Sequence, residues 1–217
     1  MKGIIFDMDG VIIDSEPIHL KLEKELLEEM GGNYLDVNRD NFIGTTDAHM
    51  WNTFKKQFDI KLSVEELINI KRKRFIENLD EIPLVNNVLE LMKSLHNEGY
   101  NLGLASSNNR DAVESVKEKY NLTKYIDIFM NGEEVLKGKP NPEIFLTTAK
   151  YMNIKPENCL VIEDARNGVL AAKSAGMKCI GLQNKNSGTQ DLSGADFVVD
   201  SYEDLTLESI KNLLNKY

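Results

Sequence analysis

The chain has 217 residues, 41% apolar and 28% charged, which is the balance of an ordinary globular protein and not of a disordered one. Its formal net charge of −9 argues against nucleic acid or an anionic membrane as partner, although a small phosphorylated ligand needs only local cations. No apolar run approaches the roughly 18 residues of a membrane-spanning helix, and no signal peptide precedes the first predicted strand, so a cytoplasmic protein is expected; a monomer is expected as well. Cys159 and Cys179 each sit in an apolar run and read as buried free thiols.

The first predicted element is Gly3-Ile4-Ile5-Phe6, a continuous apolar run suited to a strand buried on both faces of a parallel sheet. It ends in Asp7-Met8-Asp9-Gly10. A turn explains Asp9-Gly10 but leaves Asp7 unexplained. Two carboxylates at the end of a buried strand are costly without a cation beside them. Pro17 can then open a helix that runs to about Met30 and stops at Gly31-Gly32, with Ile18, Leu22, Leu26 and Met30 on one face and His19 beside them. A second helix, about Asp47 to Phe58, follows the Gly44-Thr45-Thr46 turn. A third starts at Ser63, where Glu66 completes a capping box and Leu62 and Leu67 are placed for a hydrophobic staple. Its apolar stripe is Val64, Ile68, Phe75 and Leu79. The basic run Lys71-Arg72-Lys73-Arg74 reads as a solvated face, with Lys71 and Arg72 flanking the stripe. Nothing between residues 15 and 80 has strand character.

From Pro83 the pattern changes. A helix near Val85 to Asn97 precedes a strand at Leu102-Gly103-Leu104-Ala105, and helix and strand then alternate. Arg110 to Tyr120, Pro142 to Met152 and Gly168 to Ala175 are predicted helices. Strands fall at Ile126 to Phe129, Cys159 to Ile162, Cys179 to Leu182 and Phe197 to Val199, and a last helix runs to about Leu214. This rhythm predicts an α/β fold, a parallel sheet with helices on both sides, carrying an all-helical insertion.

The ends of the strands carry the chemistry. The first stops at Asp7, the second at Ser106-Ser107-Asn108, and the strand from Cys159 at Glu163-Asp164; Lys139 lies in the turn Lys137 to Pro142. In a parallel sheet these groups gather along one edge. Carboxylates from separate strands with a hydroxyl and an ammonium suit Mg²⁺ and a phosphoryl group, since Mg²⁺ takes oxygen ligands in octahedral geometry. One aspartate can attack phosphorus, a second two residues on can serve as general acid and base, and Ser106 with nearby N–H groups and Lys139 can hold the transferring oxygens.

Asp7-Met8-Asp9-Gly10-Val11, Leu104-Ala105-Ser106-Ser107-Asn108, Gly138-Lys139-Pro140-Asn141-Pro142 and Ile162-Glu163-Asp164-Ala165 resemble the four motifs of the haloacid dehalogenase superfamily. The insertion after the first motif resembles its subclass with an α-helical cap, which includes β-phosphoglucomutase and many sugar-phosphate phosphatases. The resemblance implies a Rossmann-like core, residues 1–14 and 82–217, and a cap, residues 15–81. It further implies Asp7 as nucleophile, Asp9 as acid and base, and Ser106, Ser107, Asn108 and Lys139 on the phosphoryl group. Mg²⁺ would be held by Asp7, Asp164, the Asp9 carbonyl and Glu163 in or beside the shell. Halide-removing members lack the second aspartate of the first motif, so dehalogenation is not expected. Two departures stand out. Asp47 occupies the cap position where mutase-like members carry an arginine for the second phosphate, and Val85-Asn86-Asn87 replaces the usual Pro-Gly. His19, Asp47, Lys71 and Arg72 are the candidate substrate contacts from the cap. The expected activity is Mg²⁺-dependent hydrolysis of a small phosphorylated metabolite, with a phosphosugar mutase and a phospho-accepting receiver as alternatives.

Overall fold

The computed structural model describes residues 2–38 and 47–215; the expected Gly44-Thr45-Thr46 turn lies outside them. The chain divides into two compact units, Ser15–Ile82 and Met1–Asp14 with Pro83–Tyr217.

The described part of the smaller unit holds α1 (Glu16–Glu29), α2 (Asp47–Gln57) and α3 (Val64–Glu77). Leu26, Leu27, Met50, Trp51, Phe54, Ile60 and Leu67 form its core, with Leu62 and Met30 packed against it. The capping box is formed: the Glu66 N–H donates to Ser63 Oγ at 3.1 Å, and the Ser63 N–H to Glu66 Oε2 at 2.7 Å. The expected stripe on α3 is present, with Phe75 and Leu79 buried and Val64 and Ile68 packed against the core. Leu67 and Lys71 are buried as well, so the line of burial runs through Lys71. That lysine does not lie on a solvated face. Glu23 of α1 is buried opposite and accepts from Lys71 Nζ at 2.7 Å, which offsets the cost of removing the ammonium from water.

In the larger unit, β1 (Gly3–Phe6), β2 (Asn101–Ala105), β3 (Ile128–Met130), β4 (Cys159–Glu163), β5 (Lys178–Leu182) and β6 (Phe197–Val199) form one sheet. Its order is β3-β2-β1-β4-β5-β6 and every pairing is parallel. This is the Rossmann-like order, in which the direction of winding switches at β1 and ligands bind outside the carboxyl ends of the strands. Helices α4 (Val88–Asn97), α5 (Arg110–Lys119), α6 (Glu143–Tyr151), α7 (Arg166–Ser174) and α8 (Leu207–Asn215) complete the unit. Ile5, Val161 and Cys179 share a core with Phe145 and Ala149 of α6 and Val169 and Ala172 of α7. The alternate residues Ile4, Phe6, Leu104 and Ile162 are also fully buried. Burial on both faces explains why these strands show no alternation, and each such side chain contributes about 1.5–3 kcal/mol. Both cysteines are free and buried.

Three predicted boundaries move by two residues or more. The third strand starts at Ile128, because Ile126 is still bonded into the preceding turn through Leu122 O at 2.9 Å. Helix α4 starts at Val88, not Val85, since Leu84 bridges to Ile13 and the Val85 N–H donates to Ile12 O. Asn87 then turns the chain at φ 64°, a left-handed conformation asparagine tolerates; it takes the place of the missing glycine. Helix α7 begins two residues earlier than expected, at Arg166.

Candidate active site

Phe6 lies opposite Leu104 on β2 and Ile162 on β4. Asp7, Ala105 and Glu163 therefore stand level at the carboxyl edge of the sheet. The loop between β3 and α6 reaches the same edge: Lys139 Nζ donates to Asp7 Oδ1 at 2.5 Å, to Glu163 Oε1 at 2.7 Å and to Ala105 O at 3.3 Å. Glu143 fixes that loop by accepting from the N–H groups of Leu136 and Lys137 at 2.9 and 3.1 Å. Asn141 Oδ1 accepts from the Glu143 N–H at 3.0 Å.

Ligand oxygens of Asp7, Glu163 and Asp164 all lie within 4.8 Å of one another, and all three residues are buried. Burial is the main force raising the Asp7 carboxyl to about 7; Lys139 opposes it, while Glu163 and Asp9 add repulsion. Asp164 is likewise pushed well above the carboxylate range by burial, then by Glu163 and Asp7. For Lys139, burial works against the charge, and the Asp7 and Glu163 carboxylates outweigh it and leave the ammonium raised. Three buried carboxyl groups beside one ammonium would carry a negative excess if all were ionised, and an all-oxygen set of that kind fits a hard divalent cation such as Mg²⁺.

Asp9 leaves the strand two residues after Asp7, and its Oδ2 accepts from Asn108 Nδ2 at 2.5 Å. Ser106 is fully buried, and its Oγ accepts from the Asn108 N–H at 3.1 Å. The loop is held in place by the Gly132 N–H, which donates to Asn108 O at 2.7 Å. Ser107 between them is exposed. A Cβ on Gly168 would stand 1.6 Å from Glu163 Oε1, so glycine there is what lets the Glu163 carboxylate lie against the first turn of α7.

His19, Asp47, Lys71 and Arg72 belong to the helical unit and make their own cluster. Lys71 Nζ donates to Asp47 Oδ1 at 2.8 Å as well as to Glu23. Burial opposes the Asp47 charge, but Lys71 overcomes it, helped by His19 and Arg72, and the carboxyl is held below its usual range. The His19 ring stacks on Phe75 at 4.8 Å.

Sequence reasoning missed the loop that leaves β5. There Ser187 Oγ hydrogen-bonds Asp164 Oδ2, and Asn184 Nδ2 donates to Gly10 O at 3.0 Å. It also missed Tyr202, whose buried hydroxyl donates to Val11 O at 2.8 Å. The available signal was the polar run Gln183 to Ser187 directly after a buried strand, at the same sheet edge.

The family model of haloacid dehalogenase-like hydrolases matches residues 4–182. The chain belongs to this family. It is 36% identical over 185 residues to a phosphorylated carbohydrates phosphatase of Thermotoga maritima, covering 83% of this chain and 84% of the relative. It is 31% identical to the beta-phosphoglucomutase of Bacillus subtilis, covering 100% of this chain and 97% of that one. Among solved structures, a haloacid dehalogenase hydrolase of family IA, variant 3, from Entamoeba histolytica has the same fold, with a TM-score of 0.88 and full coverage of both chains at 23% identity. Among the described residues, no helix is long and apolar enough to cross a membrane.

Proposed function

We propose that this hydrolase is a Mg²⁺-dependent phosphatase of a small phosphorylated carbohydrate and works through an aspartyl-phosphate on Asp7. The observation that carries the reading is the Asp7–Lys139–Glu163–Asp164 cluster at the sheet's switch point, with Asp9 bound by Asn108 two residues further on. The Thermotoga maritima relative supports the carbohydrate substrate. The helical unit is read as the cap, with His19, Asp47, Lys71 and Arg72 as its candidate substrate contacts.

An oxygen of the Asp7 carboxylate bonds to phosphorus while the ester P–O bond breaks, and the leaving oxygen takes a proton from the Asp9 carboxyl and departs as an alcohol. Asp9, now a carboxylate, takes a proton from water as the water oxygen bonds to phosphorus. The bond between Asp7 and phosphorus breaks, and inorganic phosphate and the Asp7 carboxylate are restored. Ser106, the N–H groups of Ser107 and Asn108, and the Lys139 ammonium hold the transferring oxygens. Asp7, Asp164 and the Asp9 carbonyl would hold Mg²⁺ with Glu163 beside them; the ion would supply positive charge that keeps Asp7 ionised and offsets the phosphoryl charge.

The test is phosphate release from a panel of sugar mono- and bisphosphates with Mg²⁺ and with EDTA. Metal-dependent release is expected, and Asp9→Asn should accumulate the phosphorylated protein, seen by intact mass, while turnover drops about 10²–10⁴-fold. No metal-dependent release from any sugar phosphate would refute the reading. A mutase is the second reading, favoured by the Bacillus subtilis relative. Against it stands Asp47, a carboxylate where a second phosphate would need a guanidinium fork. Conversion of β-glucose 1-phosphate to glucose 6-phosphate with little free phosphate would decide for the mutase.

A further inference from the structure

We propose that Ser187 and Asn184, on the loop leaving β5, are positioning residues for the divalent-cation site, fixing the Asp164 carboxylate and the turn after Asp9. The inference rests on the reading above, in which Asp164 and the Asp9 carbonyl hold the ion. Ser187 Oγ hydrogen-bonds Asp164 Oδ2, and Asn184 Nδ2 donates to Gly10 O at 3.0 Å, one peptide beyond the Asp9 carbonyl. The three segments meet closely. A Cβ on Gly10, which has a φ of +69°, would stand 1.9 Å from Asp164 Oδ2 and 2.7 Å from Ser187 Oγ.

The loop has further hydrogen bonds of its own. The Ser187 N–H donates to Asn184 O at 3.2 Å, and the Asn186 N–H to Asn184 Oδ1 at 2.9 Å. Gln190 links it to α7: its Nε2 donates to Ser187 O at 3.2 Å, and its Oε1 accepts from the Arg166 N–H at 3.1 Å. Asn186 Nδ2 donates to Asp14 Oδ2 at 2.6 Å. A hydroxyl presented from such a framework fixes one carboxylate oxygen of Asp164, so the other is offered in one direction. Partners that orient a ligand in this way are commonly worth about 10–100-fold in metal affinity.

The experiment follows the rise in thermal midpoint with added Mg²⁺, without substrate, for the wild type, Ser187→Ala, Ser187→Thr, Asn184→Ala and Asp164→Asn. Ser187→Ala is expected to need about 10–100-fold more Mg²⁺ for half the rise, with its midpoint in EDTA unchanged. Asn184→Ala should shift in the same direction. Ser187→Thr keeps the hydroxyl and should titrate close to wild type, and Asp164→Asn should lose the response. Wild-type titration by Ser187→Ala, beside a lost response in Asp164→Asn, would overturn the proposal alone. So would a Ser187→Ala midpoint lowered equally in EDTA and Mg²⁺, since that marks a merely structural role. An undiminished response in Asp164→Asn would instead overturn the underlying reading.

Discussion

Lys71→Met tests the ion triad of the helical unit. Lys71, Glu23 and Asp47 come from three different helices, and the Lys71 and Glu23 side chains are 6% and 5% exposed. Removing one partner of a buried ion pair costs about 3–5 kcal/mol. Asp47 adds little, since its side chain is 41% exposed and water screens it. Methionine keeps most of the packing volume, so the charge is the main thing changed. The chain has a single tryptophan, Trp51, fully buried in the core of this unit, and its fluorescence reports this unit's unfolding directly. The expected result at pH 7.5 is a midpoint about 6–20 °C below wild type. Adding Glu23→Gln should restore most of the loss at pH 7.5. A loss under about 1 kcal/mol, or no recovery on adding Glu23→Gln, would refute the assignment of that energy to the ion pair.

Asp7→Asn should abolish phosphate release and leave the metal-free fold as stable as wild type or more so, since it removes one of three crowded carboxylates; a tenth of wild-type turnover would remove Asp7 as nucleophile. In EDTA the wild type should lose stability as pH rises: burial raises Asp7 from 3.8 to about 7, so the folded state keeps a proton the unfolded chain has released, and that advantage is lost as pH passes through 7. Asp7→Asn should flatten this slope in urea titrations, and an unchanged slope would place its origin elsewhere. Alanine at a helical glycine ordinarily stabilises by up to about 1 kcal/mol, yet Gly168→Ala should destabilise by about 1–3 kcal/mol, because its Cβ would overlap the Glu163 carboxylate that holds Lys139. A more stable variant with full activity would contradict this.

The sheet and its site edge were legible because each acidic or polar group follows its own apolar run, and a parallel sheet brings such ends level. Asp7, Lys139, Glu163 and Asp164 do meet there. Lys71 was misread for a physical reason. A helical wheel shows one helix alone, whereas the burial of Lys71 depends on Glu23 from α1 and Asp47 from α2. Helix α4 began late because the pairing of Leu84 with Ile13 is non-local. Ser187 and Asn184 escaped notice since a run of small polar residues after a strand reads as solvated loop. Nothing local marks it as touching Asp164.

The order of the sheet has a consequence for biosynthesis. Strand β1 leaves the ribosome well before its neighbours β2 and β4, where Gly3 pairs with Asn101 and Cys159. The nascent chain must carry the unpaired segment Ile4-Ile5-Phe6 through the synthesis of the whole helical unit, whose own core is local and complete by Ile82. Long-range parallel pairing is slow and leaves apolar strand exposed to aggregation in the meantime. Asp7 also has no Glu163 or Asp164 beside it until β4 emerges, so the acidic cluster comes into being only after the helical unit and strands β2 and β3 have been made.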